Sequence, residues 1–178
     1  MQKERINPND YENEFEERPI HVNRVMRVGK GRRTPSFNTL SVVGNRDGIV
    51  GIGFGSASEI SGALRKSFAD ARKNLIRVPL VDGTLPHEII CEFKSAKVLL
   101  KPARPGTGII AGHATRAILE HAGVRDALTK CLSSRNVKNI AEATMIGLRS
   151  LKDVNEVARI RGKTVDELFH KHTNNSNS

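Results

Sequence analysis

Between Ile49 and Gly55 the chain reads IVGIGFG, a β-branched and aromatic run in which glycine takes every second place. In a strand, alternation puts Gly51, Gly53 and Gly55 on one face. That face is bare backbone, and two arrangements satisfy it: a bulged or sharply coiled strand, or a face pressed against a partner. Just before it, Asn45-Arg46-Asp47-Gly48 is a turn signal, because Asn and Asp bond their own backbone and Gly tolerates positive φ. FNTLSVVGN, Phe37 to Asn45, predicts the strand leading into that turn, and IHVNRVMRV, from Ile20, predicts an earlier one.

After the glycine run, Ser56-Ala-Ser-Glu59 has the spacing of a capping box and predicts a helix start. The segment EISGALRKSFADARKNLI then repeats apolar residues at helical steps, with Ile60, Leu64, Phe68, Ala71 and Leu75 predicted inward. Arg65, Lys66, Arg72 and Lys73 lie off that stripe. Seven-residue spacing puts Arg65 with Arg72, and Lys66 with Lys73, on shared faces. Residues 20–78 therefore predict a three-stranded antiparallel sheet backed by one helix that is basic on its outside.

Val81 to Pro86, VDGTLP, carries turn chemistry and marks a boundary. Beyond it, HEIICEF and AKVLLKPA predict a hairpin around Lys94-Ser95. IIAGHATRAILEHAG predicts a helix with Ala111, Ala114, Ile118 and Ala122 inward, closed by Gly123. LTKCLSS predicts a strand. NVKNIAEATMIGLRSL predicts a helix with Val137, Ile140, Thr144, Leu148 and Leu151 in register, and Asp153-x-x-Glu156 and Thr164-x-x-Glu167 open two short helices, the first ended by Gly162. The class is α+β in two small units: an acidic flexible tail at 1–19, a first domain at 20–83, a second at 84–169 and a polar, disordered tail at 170–178.

Charge is unevenly placed. The net charge is +10, but residues 1–20 hold 3 basic and 6 acidic side chains, whereas residues 21–78 hold 11 basic and 3 acidic. A local field of that sign attracts polyanions, either nucleic acid or an acidic membrane face. No apolar run approaches the roughly 18 residues of a membrane span, and the chain reads as soluble, in a cytoplasm or an organelle interior. Cys91 and Cys131 form no CxxC pair, which excludes a zinc ribbon; their spacing allows a disulfide, and two buried reduced thiols are the preferred reading.

Catalytic patterns are missing: HExxH, GxSxG and CxxC do not occur. PGTGIIAGHAT places Gly106, Gly108 and Gly112 before a helix. A Walker loop needs Lys and Ser or Thr after its last glycine, however, and His113-Ala114 stands there. A tight turn suffices, with an RNA phosphate contact or a phosphotransferase loop as the alternatives. His87 and Cys91 share a strand face with no acid to orient the imidazole. His113 and His121 lie about two helical turns apart, so no metal, cofactor or catalytic residue is assigned.

The segment RVMRVGKGRR is different, because Arg24, Arg27, Lys30, Arg32 and Arg33 fall in ten residues without an acid. It reads as half strand and half loop, a glycine-jointed cationic finger. Cations neutralise phosphates and release counterions, and Arg adds a planar fork that matches phosphate oxygens. Only Phe37 and Phe54 flank the region, so the finger and the basic helix face, Arg65, Lys66, Arg72 and Lys73, predict contact with phosphates and 2′-hydroxyls of folded RNA rather than base stacking. A free-standing RNA-binding regulator is the alternative within that class.

VNRVMRVGKGRR, SFNTLSVVGNRDGIVGIGFGSASEISGALRKSFADARKNLI, GTLPHEI, KPARPGTGIIAGHATRAILEHAGV and RGKTVDEL, in this order across residues 20–169, resemble the bacterial-type small-subunit ribosomal protein S-five family. The resemblance implies a first domain like a double-stranded-RNA-binding fold lacking its first helix, and a second domain of the left-handed β-α-β type. It implies a structural, non-enzymatic role in the small ribosomal subunit, in bacteria or an organelle. The finger would bind small-subunit rRNA near the neck, the mRNA entry path and the decoding region, supporting assembly and accuracy. It implies protein neighbours S-four and S-eight, with Arg104, Gly106, Gly108 and Arg116 in the region facing S-four and the RNA, and it associates the finger with spectinomycin response. The chain departs from the family at Arg32, Pro35 and Thr39, which make the finger stiffer and more basic.

Overall fold

The computed structural model describes residues 15–169; positions 1–14 of the expected acidic tail and the expected tail at 170–178 lie outside the described residues. The elements are β1 (Glu16–Gly29), β2 (Arg32–Gly44), β3 (Ile49–Ala57), α1 (Ile60–Lys73), β4 (Ile76–Arg77), β5 (Ile89–Phe93), β6 (Ala96–Pro102), β7 (Ile109–Ile110), α2 (His113–Ala122), β8 (Ala127–Cys131), α3 (Val137–Ser150), α4 (Val154–Arg161) and α5 (Val165–Phe169). The first sheet has the order β1-β2-β3-β4 and is antiparallel throughout. It has one strand more than expected, because Ile76–Arg77 pairs with the start of β3. The second sheet, β5-β6-β8-β7, is antiparallel except for the parallel pair β7–β8, which α2 connects.

The glycine face is the seat of α1, so it is not free for an external partner. A methyl group on Gly53 would stand 2.1 Å from the Ser67 carbonyl oxygen and 2.2 Å from the Ala71 nitrogen; on Gly55 it would stand 2.1 Å from the Ala63 oxygen. Strand and helix thus meet backbone to backbone. α1 answers with its small residues, since Ala63, Ser67 and Ala71 are the buried ones. The predicted stripe holds at Ala71 and Leu75, which are buried, but Leu64 and Phe68 are only half-buried and Ile60 is 47% exposed, because a large side chain cannot enter so narrow a gap. Hydroxyls fill the remaining space. Thr39 Oγ1 donates to the Ala63 oxygen at 2.9 Å, Ser41 and Ser67 share a 2.8 Å bond, and Ser67 Oγ donates to the Leu64 oxygen. All three residues are fully buried, and their hydrogen bonds offset the cost of desolvation. The expected capping box does not form: Ser56 and Ala57 end β3, Glu59 is the N-cap residue, and no side chain caps α1.

On the other side of the first sheet, Leu40, Val42, Val50 and Ile52 join one continuous core with Ile118 and Leu119 of α2, Leu148 of α3, and Val98 and Leu100 of β6. α2 also receives the β2–β3 turn. The amides of Arg46 and Gly48 donate at 3.0 Å to the oxygens of His121 and Ala122, which a helix C-terminus leaves unpaired. Within the turn, Asn45 Oδ1 accepts from the amides of Asp47 and Ile49, as its sequence predicts. Asn136 caps α3, Asp153 caps α4, and Thr164 and Glu167 make a reciprocal capping box before α5. One helix is shorter than expected. Ile109–Ile110 pairs with β8 as a strand and α2 starts only at His113, so Ala111 lies outside the helix. Among the described residues no helix is long and apolar enough to cross a membrane.

Both cysteines are free; Cys91 is buried, as expected, whereas Cys131 is half-buried. Cys91 faces Gly147 of α3 and donates to the Val98 oxygen at 3.2 Å. Burial raises its thiol pKa from 9.0 to about 11.

Two predictions follow from this packing. Gly53→Val should lower the thermal midpoint sharply, by an equivalent of about 3 kcal/mol or more, because the obstacle is backbone. Gly29→Ala, with nothing within 4 Å of the added carbon, should stay within about 0.5 kcal/mol of the parent; equal melting of the two variants would refute the seat. For Cys91, the unfolded thiol ionises first, so its contribution is present below pH 9 and disappears as pH rises through about 11. The loss should be on the order of 2 kcal/mol, read as the extra alkaline slope of parent over Cys91→Ala in denaturant titrations.

Candidate nucleic-acid interface

The cationic segment is a β-ribbon rather than a loop. β1 and β2 stay paired out to Gly29↔Arg32, and only Lys30 and Gly31 turn. Gly31 takes φ +69°, the one turn position that requires glycine; Gly29 ends the strand and is not a joint. β3 pairs with β2 only from Phe37 inward. The five pairs from Val25↔Ser36 to Gly29↔Arg32 therefore project about 16 Å beyond the sheet at strand rise. Pro35 sits in this unsupported stretch, where β2 has lost one neighbour and a missing amide is tolerated.

Register assigns the charges to faces. Thr39 turns its hydroxyl to α1, and Val22 is its partner. Counting by twos, Val22, Arg24, Met26 and Val28 with Arg33, Pro35 and Phe37 lie on the α1 side of the ribbon. Asn23, Val25 and Arg27 with Arg32, Thr34, Ser36 and Asn38 lie on the other, and Lys30 is at the tip. Arg24, Arg27, Lys30, Arg32 and Arg33 are exposed, and among the described residues none makes an ion pair. Free of acids and with cations on both faces, the ribbon can meet a polyanion from either flank.

The helix cations divide. Arg72 is paired with Glu17 at 2.9 Å, so this predicted RNA contact is engaged by its own chain. Lys66 donates to the Ser56 oxygen at 3.3 Å. Arg65 and Lys73 are exposed and make no ion pair among the described residues. Arg72 is held because Glu16, Glu17 and Arg18, expected in a flexible tail, belong to β1. Glu16 pairs with Arg46 at 2.7 Å and Arg18 with Glu120 at 2.8 Å, which fastens the strand to the turn and to α2. No local pattern in the sequence announces these three pairs.

In the glycine-rich segment before α2, two amides are engaged by the chain itself. The Gly108 amide donates to Asp126 Oδ1 at 2.7 Å, and the Thr107 amide and hydroxyl both donate to the Arg104 oxygen. With Asp126 on the Gly108 amide, that amide is not offered to a phosphate. Gly106 and Gly108 take φ of +86° and +73°, Arg104 is exposed, and Arg116 donates from Nη2 to the Ile109 oxygen at 3.0 Å. The tight-turn reading therefore describes the segment.

His87 and Cys91 do not meet. His87 Nε2 accepts from the Lys152 amide, which leaves the proton on Nδ1, donated to the Glu88 oxygen. Buried His121 bonds the Ala117 oxygen through Nδ1. Among the described residues no group of three or more His, Cys, Asp or Glu could hold a metal. Phe54, which the sequence placed only as an aromatic flanking the finger, has Lys138 of α3 over its ring at 4.2 Å; that contact joins elements distant in the chain.

Comparison with known proteins agrees with this geometry. Residues 15–79 match the model of ribosomal protein S5, N-terminal domain, and residues 91–161 match that of ribosomal protein S5, C-terminal domain. Among curated relatives, small ribosomal subunit protein uS5 of Thermotoga neapolitana is 49% identical over 88% of each chain. The uS5 of Salinibacter ruber is 47% identical over 95% of this chain and 97% of its own. The uS5 of Chloroflexus aurantiacus is 46% identical over 97% and 96%. Two matched domains in order and this extent of identity together establish that the chain belongs to the ribosomal protein uS5 family.

Proposed function

We propose that this structural, non-enzymatic component of the small ribosomal subunit holds small-subunit rRNA chiefly through the β1–β2 ribbon. The ribbon would stand near the neck of the subunit, beside the mRNA entry path and the decoding region, and so bear on assembly and accuracy. One observation carries the reading: five exposed cations on a projecting hairpin have no anionic partner among the described residues. Their self-repulsion would destabilise the free chain unless a polyanion relieves it. Arg65 and Lys73 extend the surface along α1, while Arg72 and Lys66 serve the fold first.

The order β1-β2-β3-α1 suits a double-stranded-RNA-binding-like domain without its first helix, spanning about 20–83 plus the strand residues before it. The second unit, 84–169, would be the left-handed β-α-β domain, with α2 crossing from β7 to β8. Arg104, Gly106, Gly108 and Arg116 would face ribosomal protein S-four and nearby RNA, and the same unit would meet S-eight. The host compartment would be a bacterial cytoplasm or an organelle.

The test is the salt dependence of binding to small subunits reconstituted without this chain. Arg27→Ala, Lys30→Ala and Arg33→Ala combined should weaken association and reduce the slope of log K against log salt by about 2 to 3. A parental slope would show that the ribbon touches no phosphate.

A further inference from the structure

We propose that the two sides of the ribbon bind different parts of the RNA: the side facing α1 lies against bases and riboses through Met26 and Val28, and the opposite side grips phosphates. This rests on the reading that the ribbon contacts small-subunit rRNA. The alternation of the strand sorts the residues. On the α1 side, Met26 is 53% and Val28 72% exposed, with Val22 behind them at 42%, although a two-stranded ribbon offers them no core to enter. Their cross-strand partners are Pro35 and Arg33, so this side is an apolar strip closed by Arg33 toward the tip and by Arg24 toward the sheet. The other side pairs Arg27 with Thr34, Gly29 with Arg32, Val25 with Ser36 and Asn23 with Asn38. It holds two arginines and a row of hydroxyl and amide groups, with Val25 alone apolar.

The chemistry of each side selects its ligand. Hydroxyls, amides and arginines suit phosphate and 2′-hydroxyl oxygens. A thioether and an isopropyl group offer phosphate nothing; they gain by leaving water against the flat surface of an unstacked base or the carbon face of a ribose. Arg24 and Arg33 at the two ends of the strip hold that strip in register on the same polyanion, and Arg can stack on a base plane while pairing with a phosphate. A surface closed at both ends by arginines, Arg24 and Arg33, favours RNA over an apolar protein face as its occupant.

The two modes respond to salt differently, and that separates them. Small subunits reconstituted without this chain would be titrated with the parent, with Met26→Ser/Val28→Ser and with Arg27→Gln/Arg32→Gln, across a series of KCl concentrations, after melting curves establish that each chain folds. Both substituted pairs are exposed, so parental melting is expected. The apolar pair should weaken binding about tenfold at every salt concentration, at parental slope, because burial of apolar surface releases no counterions. The arginine pair should instead flatten the slope by about 1.5 to 2. Met26→Leu/Val28→Ile should bind as the parent does. Parental affinity for the serine pair, with a flattened slope for the arginine pair, overturns the two-sided assignment and leaves the ribbon on RNA. Parental behaviour of both overturns the RNA reading of the ribbon itself. Loss of a protein cross-link at position 26, with base reactivity of the rRNA unchanged by the serine pair, assigns the strip to a protein neighbour and overturns the proposal.

Discussion

The close approach of α1 to β3 is the contact on which the rest of the molecule depends. Three glycines at alternate positions let helix backbone lie directly on strand backbone, and the helix face that meets them carries the small residues Ala63, Ser67 and Ala71, which are enclosed there. A gap that narrow excludes the large apolar side chains that usually weld a helix to a sheet. Burying the hydroxyls of Thr39, Ser41 and Ser67 is possible because each finds a partner in the same seam. The seam also sets which way the sheet faces. With α1 occupying the glycine side, Leu40, Val42, Val50 and Ile52 must bury themselves on the other, and they do so against α2 and α3.

That second packing makes the two units one body. The β2–β3 turn supplies the amides that the end of α2 lacks, Arg18 reaches Glu120, and Lys138 lies on Phe54. Exposed ion pairs of this kind contribute little each, and the shared apolar core carries the load. The consequence for function is mechanical. β3 is short, so β1 and β2 outrun it, and everything past Phe37 projects from a rigid base. An arrangement of arginines held by strand register presents its cations at fixed spacings, which a disordered loop of the same composition could not do without losing entropy on binding.

How far the site could be read from the chain varies by residue. Arg24, Arg27, Lys30, Arg32 and Arg33 were legible as a phosphate-seeking group because an acid-free run needs no tertiary information to interpret. Their division between two faces was not, since the glycines at 29 and 31 imitate a loop and only the pairing Gly29↔Arg32 makes the segment a ribbon. Arg72 looked as available as Arg65 until Glu17 was placed beside it. The helix stripe Ile60, Leu64, Phe68, Ala71 and Leu75 is right at its C-terminal end, where Ala71 and Leu75 are buried, and only half-right before it, because hydrophobic periodicity assumes a sheet surface with side chains on it, and here the sheet offers bare glycine.

The sequence by itself determined the local elements whose causes are local: the Asn45–Gly48 turn, the caps at Asn136, Asp153 and Thr164, the left-handed stop at Gly123, the cationic run, and the membership that its motifs proclaim. Tertiary structure alone decided what the glycine face lies against, which cations are already engaged, and that one core serves both sheets. The physical reason is the range of the forces involved. Turns and caps are settled by bonds spanning two to four residues, whereas a face, an ion pair such as Arg18 with Glu120, or a shared core exists only once segments far apart in the chain have been brought together.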